Sequence, residues 1–183
     1  MPTKAELQAQ RQRLRETGLD VRLAQQAEAH GFAPAFFFAI ASRETNCVNE
    51  LGDWQNGEAH GVGIVQIDIQ HALARQARDD GSWRTNPDPL LAFGAQLLAD
   101  NIRRAQQAFP AFSSEQQLRV AASGYNCGMG AAIAGARNGD SDQHTTGHNY
   151  GADVMARLAV FEELMFSSPT LSPTEGERMG HAA

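Results

Sequence analysis

The chain lacks any apolar run long enough to cross a membrane; the longest, inside "FAPAFFFAIA", is about half the length a spanning helix needs. Its opening stretch, "MPTKAELQAQRQRLRE", lacks the apolar centre of a signal peptide. A product made in the cytoplasm, reaching its target after release or assisted export, is therefore expected. Cysteine is scarce. Cys47 and Cys127 are too few for a disulfide scaffold, their spacing offers no metal site, and two free thiols are expected, although both stand near residues singled out below. Basic charge is also short: the formal net charge is −6, and arginines are scattered in pieces such as "RQRLR" and "IRR". That balance excludes a general pull toward nucleic acid or anionic membrane, so a helical DNA-binding protein is a poor reading.

What is present is ordinary for a globular protein, with 42% hydrophobic and 20% charged residues over 183 positions, enough to bury a core. Helical periodicity dominates. It predicts a polar amphipathic helix over 4–16 and a second over 20–30, with Asp20 as N-cap and a stop at Gly31. A third spans 34–45 with Pro34 in its first turn. Residues 46–61 read as a polar, glycine-bearing loop, and "VGIVQID" as a short strand of a small hairpin sheet. Helical spacing resumes at "IQHALARQAR"; 79–89 read as a turn, and 88–108 as a long helix. A serine-capped helix lies within "FSSEQQLRVAASGYNCG", closed by Gly128, and a last helix covers 149–166 with Val154, Leu158, Phe161 and Met165 on one stripe. The Ser/Pro/Gly-rich stretch 167–183 is expected to be disordered. The fold class is mainly α, in an α+β arrangement with a small antiparallel hairpin sheet lining a cleft.

Candidate chemistry begins at the end of the third helix. Phe37, Ile40, Ala41 and Glu44 follow helical spacing and share one face, so Glu44 prolongs an apolar stripe. It also lies in the last turn, where the negative end of the helix dipole opposes its charge. Both effects raise its pKa and favour a proton-donating carboxyl near neutral pH. Arg43 points away by a quarter-turn or more and need not cancel this. A two-residue period puts Ile64, Gln66 and Asp68 on one face of the expected strand, with Asp53 in the loop before it. An acid on an apolar helix end facing carboxylates on a hairpin is the equipment of a glycoside hydrolase. His144 and His148 could imitate a metal pair by spacing, but no third ligand is evident, so no metal is expected.

These residues fall into a pattern that resembles the goose-type lysozymes, within the wider lysozyme and soluble lytic transglycosylase superfamily. Ser42–Arg43–Glu44 matches the family's "SRE", Gly52–Asp53 its "GD", and Gly81–Ser82–Trp83 its "G-[ST]-W". "GVGIVQID" is similar to "G-x-G-[LI]-x-Q-[VI]-D", "EQQLRVAASGYNCGMG" to the "QQL…AYNAG.G" helix, and "HTTGHNYGADVMARLAVF" to the closing segment. The likeness spans about 20–166, in family order. It implies an N-terminal helical extension at 1–18, a catalytic domain at 19–166 and a tail at 167–183. It further implies Glu44 as general acid, with Asp53 and Asp68 positioning water for an inverting cut. Gln66, Tyr125, Asn126 and Tyr150 would line the saccharide cleft. The implied substrate is the peptidoglycan glycan strand, cut between N-acetylmuramic acid and N-acetylglucosamine, with no cofactor and a monomeric enzyme. A proteinaceous lysozyme inhibitor stays open as a partner.

The chain departs from the pattern at three places. His71 lies three residues beyond Asp68, where the family has a histidine four beyond; it is carried as a substrate contact. Asn101 stands where animal members commonly offer an aromatic ring. The disulfide cysteines of many animal members are missing, which fits a bacterial or phage origin. Two other functions compete with hydrolysis. A lytic transglycosylase would use the same glutamate as acid and then base, giving an anhydro sugar. An inactive saccharide-binding module would keep the fold, but has no reason to hold an acid on an apolar face.

Overall fold

In the computed structural model, residues 1–166 are described; the expectation of a disordered tail at 167–183 lies outside them. The chain runs α1 (Lys4–Thr17), α2 (Leu19–Ala29), α3 (Pro34–Thr45), β1 (Leu51–Gln55), β2 (Glu58–Val62), β3 (Ile67–Asp68), α4 (Ala72–Asp80), α5 (Ser82–Thr85), α6 (Asp88–Ala108), α7 (Ser114–Cys127), α8 (Met129–Arg137) and α9 (Tyr150–Phe166). It is mainly α with one three-stranded antiparallel sheet ordered β1-β2-β3, the class expected from the sequence. Among the described residues no helix is long and apolar enough to cross a membrane.

The helix α3 is the centre of the molecule. Pro34 presets its first turn, and Ala35 through Ser42 are all buried, so it is apolar all round and needs neighbours on every side. α9 and α2 pack against it, with Phe38 edge-on to Phe161 at 6.0 Å. Asn46, at φ +52°, ends it in the left-handed conformation that asparagine tolerates. α1 is locked at its start by a Thr3–Glu6 capping box. Gly18, at φ +70°, ends α1 and directly precedes α2, so Asp20 is not the N-cap expected but a first-turn residue. α7 carries the expected Ser113 cap, with Gln116 closing a capping box.

The sheet corrects two expectations. The region read as a loop holds β1 and β2, joined by Asn56 and Gly57 at φ +53° and +82°, the two positive angles of a type I′ hairpin turn. "VGIVQID" is only marginally strand: Val62 closes β2, residues 63–66 form a turn, and Ile67–Asp68 alone make β3. Gly63 at φ +79° and Gln66 at φ +48° bend it, so the expected alternation of Ile64, Gln66 and Asp68 does not exist. The apolar run reflects burial instead, since Val62, Ile64, Val65 and Ile67 all sit in the core. Thr45 Oγ1 donates to the Ile64 carbonyl at 3.0 Å and ties this turn to the end of α3.

The helix α4 starts at Ala72 rather than at Ile69, because Asp68 first turns the chain: its carboxylate accepts the Gln70 N–H at 2.6 Å. α5 falls inside the expected turn. α8 was not expected; Met129 and Ala132 sink it into a second apolar cluster with Ala105, Val120 and Ala121. Asn101 is buried and donates to the Ala121 carbonyl at 3.3 Å, so it serves the α6–α7 seam rather than a sugar platform. Both cysteines are free, and neither borders the cleft described below. Cys47 is buried toward Gln10 of α1, where burial pushes its thiol up to about 12.

Candidate active site

A cleft of about 420 Å³ lies between the end of α3, the hairpin, the end of α7 and the loop before α9. Glu44, Asp53, Gln66, Asp68, Tyr125 and Asn126, six of the residues singled out in the sequence, line it together. His60, Gly61 and Thr146 complete the lining. His60 and Gly61 fall in the stretch 46–61 that reads as a loop, and no sequence signal singles out Thr146. The Asn56-Gly57 pair was the clue, because a hairpin turn there makes position 60 a strand residue opposite position 53.

Glu44 is partly exposed at the cleft floor, at the end of the most buried helix. Burial raises its carboxyl from the ordinary 4.5 to about 7. Two smaller effects hold it from going higher: a hydrogen bond from the Tyr150 hydroxyl and the nearby charge of Arg43. Arg43 itself turns toward α9, its Nε 3.1 Å from Asp153, with its guanidinium over the Tyr150 ring at 5.2 Å. Tyr150 is therefore a partner of Glu44 from behind, 2% exposed, and is not part of the cleft wall where the resemblance places it.

The aspartates differ in how they are held. Asp68 is half-buried, with its carboxylate anchored on the Gln70 amide. Asp53 is exposed, at φ +47°, and accepts from Gln55 Nε2 at 3.1 Å. Between them lies Gln66. Its Nε2 donates to the carbonyls of Gly63 at 2.7 Å and Glu50 at 3.2 Å. Its Oε1 lies across the cross-strand pair Gly52–Gly61, where an added Cβ would meet it at 2.2 and 2.1 Å. Those glycines are there because the amide lies flat on the hairpin.

The far wall comes from α7. Tyr125 donates its hydroxyl to the Val65 carbonyl at 2.8 Å, joining α7 to the sheet, while burial holds its phenol well above the usual range. Asn126 accepts the Thr146 N–H at 2.8 Å and pins the loop that leads into α9. His71 stands apart, exposed at the N-cap of α4 with its ring 4.7 Å from Phe93. Among the described residues no three His, Cys, Asp or Glu side chains converge as a metal would need. The arrangement supplies one carboxyl that is a proton donor near neutral pH and two carboxylates on the opposing sheet, Asp53 on β1 and Asp68 on β3.

The family model described as lysozyme g matches residues 19–164. Lysozyme g of Casuarius casuarius is 32% identical over 130 residues, covering 71% of this chain and 65% of that protein. Lysozyme g of Gallus gallus is 29% identical over 136 residues, covering 74% and 60%. Lysozyme g of the fish Epinephelus coioides is 33% identical over 140 residues, covering 73% and 69%. The chain thus spans 60–65% of the length of these two bird relatives.

Proposed function

The chain belongs to the lysozyme g family, and from that premise we propose that it is a glycoside hydrolase, a muramidase that cleaves peptidoglycan between N-acetylmuramic acid and N-acetylglucosamine. The observation that carries this reading is Glu44, a carboxyl raised to about 7 by burial, lining one cleft with Asp53 and Asp68.

Glu44 donates its proton to the glycosidic oxygen as the bond to the sugar breaks. The Tyr150 hydroxyl, already bonded to Glu44, then stabilises the carboxylate left behind. Asp68 and Asp53, across the cleft, orient a water molecule and take its proton as it attacks the opposite face of the ring. Because Asp68 is tied to a backbone amide and Asp53 is not, Asp68 is the better placed to fix that water. Gln66, Tyr125 and Asn126 offer amide and aromatic surface to the sugars, although their bonds to the protein already use part of it.

Attack by water from the opposite face inverts the anomeric centre. Proton NMR of freshly cleaved oligosaccharide is expected to show the α-anomer at the new reducing end, with no 1,6-anhydro product by mass spectrometry. A β-anomer would overturn the inverting mechanism, and an anhydro sugar would replace hydrolysis by transglycosylation.

A further inference from the structure

A second and larger cavity, of about 590 Å³, shares no lining residue with the catalytic cleft. It lies where α1 packs over the C-terminal end of α3 and the start of α9. The residues matched to the lysozyme g family begin at 19, so the α1 wall of this cavity lies outside the family match.

Three guanidinium groups line it, those of Arg13, Arg43 and Arg157, against the carboxylates of Glu6 and Asp153. Asp153 and Arg157 are each 92% covered, and Asp153 Oδ2 serves two cations: it accepts from Arg157 Nε at 2.9 Å and lies 3.1 Å from Arg43 Nε. The Nε of Arg43 is buried without a well-formed hydrogen bond. Arg157 uses Nη1 on the carbonyl and hydroxyl of Ser42, and Arg13 uses Nη1 on the Asn46 carbonyl. A guanidinium has five N–H donors. Both Nη groups of Arg43 and the Nη2 groups of Arg13 and Arg157 therefore have no protein acceptor among the described residues. Glu6 makes no bond to them; its Oε2 accepts the Thr3 amide and hydroxyl at 2.7 and 2.9 Å. Three arginines against two carboxylates leave one net positive charge here, in a protein whose formal charge is −6.

We propose that this cavity is a binding site for a phosphate group, carried by a small organic molecule or present as the free ion. Guanidinium forks match phosphate oxygens in pairs, and charge-assisted bonds of this kind are the strong ones. The volume falls within the ordinary range for small-molecule sites.

Isothermal titration calorimetry on the whole chain tests it, with inorganic phosphate and glucose 6-phosphate as separate ligands at low ionic strength. Saturable one-to-one binding is expected, weakened about tenfold or more in Arg13→Gln, since one charge-assisted bond is lost. Ala9→Glu, an exposed position of α1 on the cavity wall, places a carboxylate at the rim and is expected to abolish binding without touching the core. Tighter binding of the sugar phosphate identifies an organic ligand; equal or tighter binding of phosphate identifies the free ion. No saturable heat from either ligand overturns the proposal, and so does unchanged binding in the folded Ala9→Glu protein.

Discussion

Glu44 concentrates two opposing demands in one side chain, since the burial that makes it an acid also works against the folded state. Its folded pKa of about 7 lies above the ordinary 4.5. Between those values the folded protein binds more protons than the unfolded chain, so stability falls as pH rises across that window and stays lower above it. The penalty is on the order of 2 kcal/mol, allowing for the side of the carboxyl that is open to cleft water. Glu44→Gln is therefore expected to raise thermal stability at pH 8 and leave it unchanged at pH 4. The same variant is expected to lose about 10²–10⁴-fold in wall-lytic rate, because an amide gives no proton. Differential scanning calorimetry at the two pH values, beside a turbidity assay, reads both effects. Tyr150→Phe isolates the other influence on this carboxyl. The hydroxyl bond lowers the Glu44 pKa, so its loss is expected to carry the alkaline limb of kcat/KM to higher pH while the buried ring keeps the fold.

At the scale of the element, the hairpin is built around a side chain that is not part of it. Gly52 and Gly61 face each other across β1 and β2 only because Gln66 reaches over them from the following turn. Gly61→Ala is expected to destabilise the protein by about 1–3 kcal/mol, the range for forced overpacking, and to displace the amide from the cleft. Gln66→Ala in the same chain removes the atom that the new methyl would strike. The double variant is accordingly expected to be less unstable than the sum of the two single changes, measured by urea denaturation as a coupling energy. Additive losses would mean that the amide does not lie where it is described. The type I′ turn at Asn56-Gly57 sets the register that makes the clash unavoidable, pairing 52 with 61 and 55 with 58.

For the whole molecule, the buried Asp142 ties together α7, the loop after α8 and the start of α9. Its carboxylate accepts the Gly151 and Ala152 amides at the start of α9, at 2.6 and 3.0 Å, together with Ser123 of α7 at 2.9 Å and Arg119 at 2.9 Å. Burial alone would raise its pKa; these bonds outweigh it and hold the group below the usual carboxylate range. The stabilisation is present above the unfolded carboxylate pKa and disappears as pH falls through the lower folded value. Asp142→Asn is expected to cost about 2–3 kcal/mol near neutral pH, through the loss of charge-assisted bonds, and progressively less as acid protonates the folded carboxylate. Chemical denaturation across pH checks the sign. Since α9 begins with Tyr150, the same variant is expected to loosen the hydroxyl that holds Glu44, and so to lower activity more than the stability loss alone explains.

Much of this was legible in the chain, because it rests on local chemistry. Pro34 and the apolar spacing of 34–45 place α3 residue for residue, and Glu44 with it. Ser113 and Gln116 mark α7, since caps act within a turn of themselves. The hairpin was hidden by its own construction. Its glycines at 52 and 61 erase the alternation that identifies a strand, and apart from Trp54 its exposed residues are polar like those of a loop. The run "VGIVQID" errs in the other direction, because a buried turn is as apolar as a buried strand. Only the tertiary structure joins Tyr150 to Glu44 across 106 positions, sets His60 beside two carboxylates, and lays Arg13 against the end of α3. The sequence by itself determined which carboxyl would be driven toward neutrality, since burial and helix position follow from neighbours a few residues away. What faces that carboxyl was decided by packing, because a hydrogen bond between distant segments leaves no periodic trace in either.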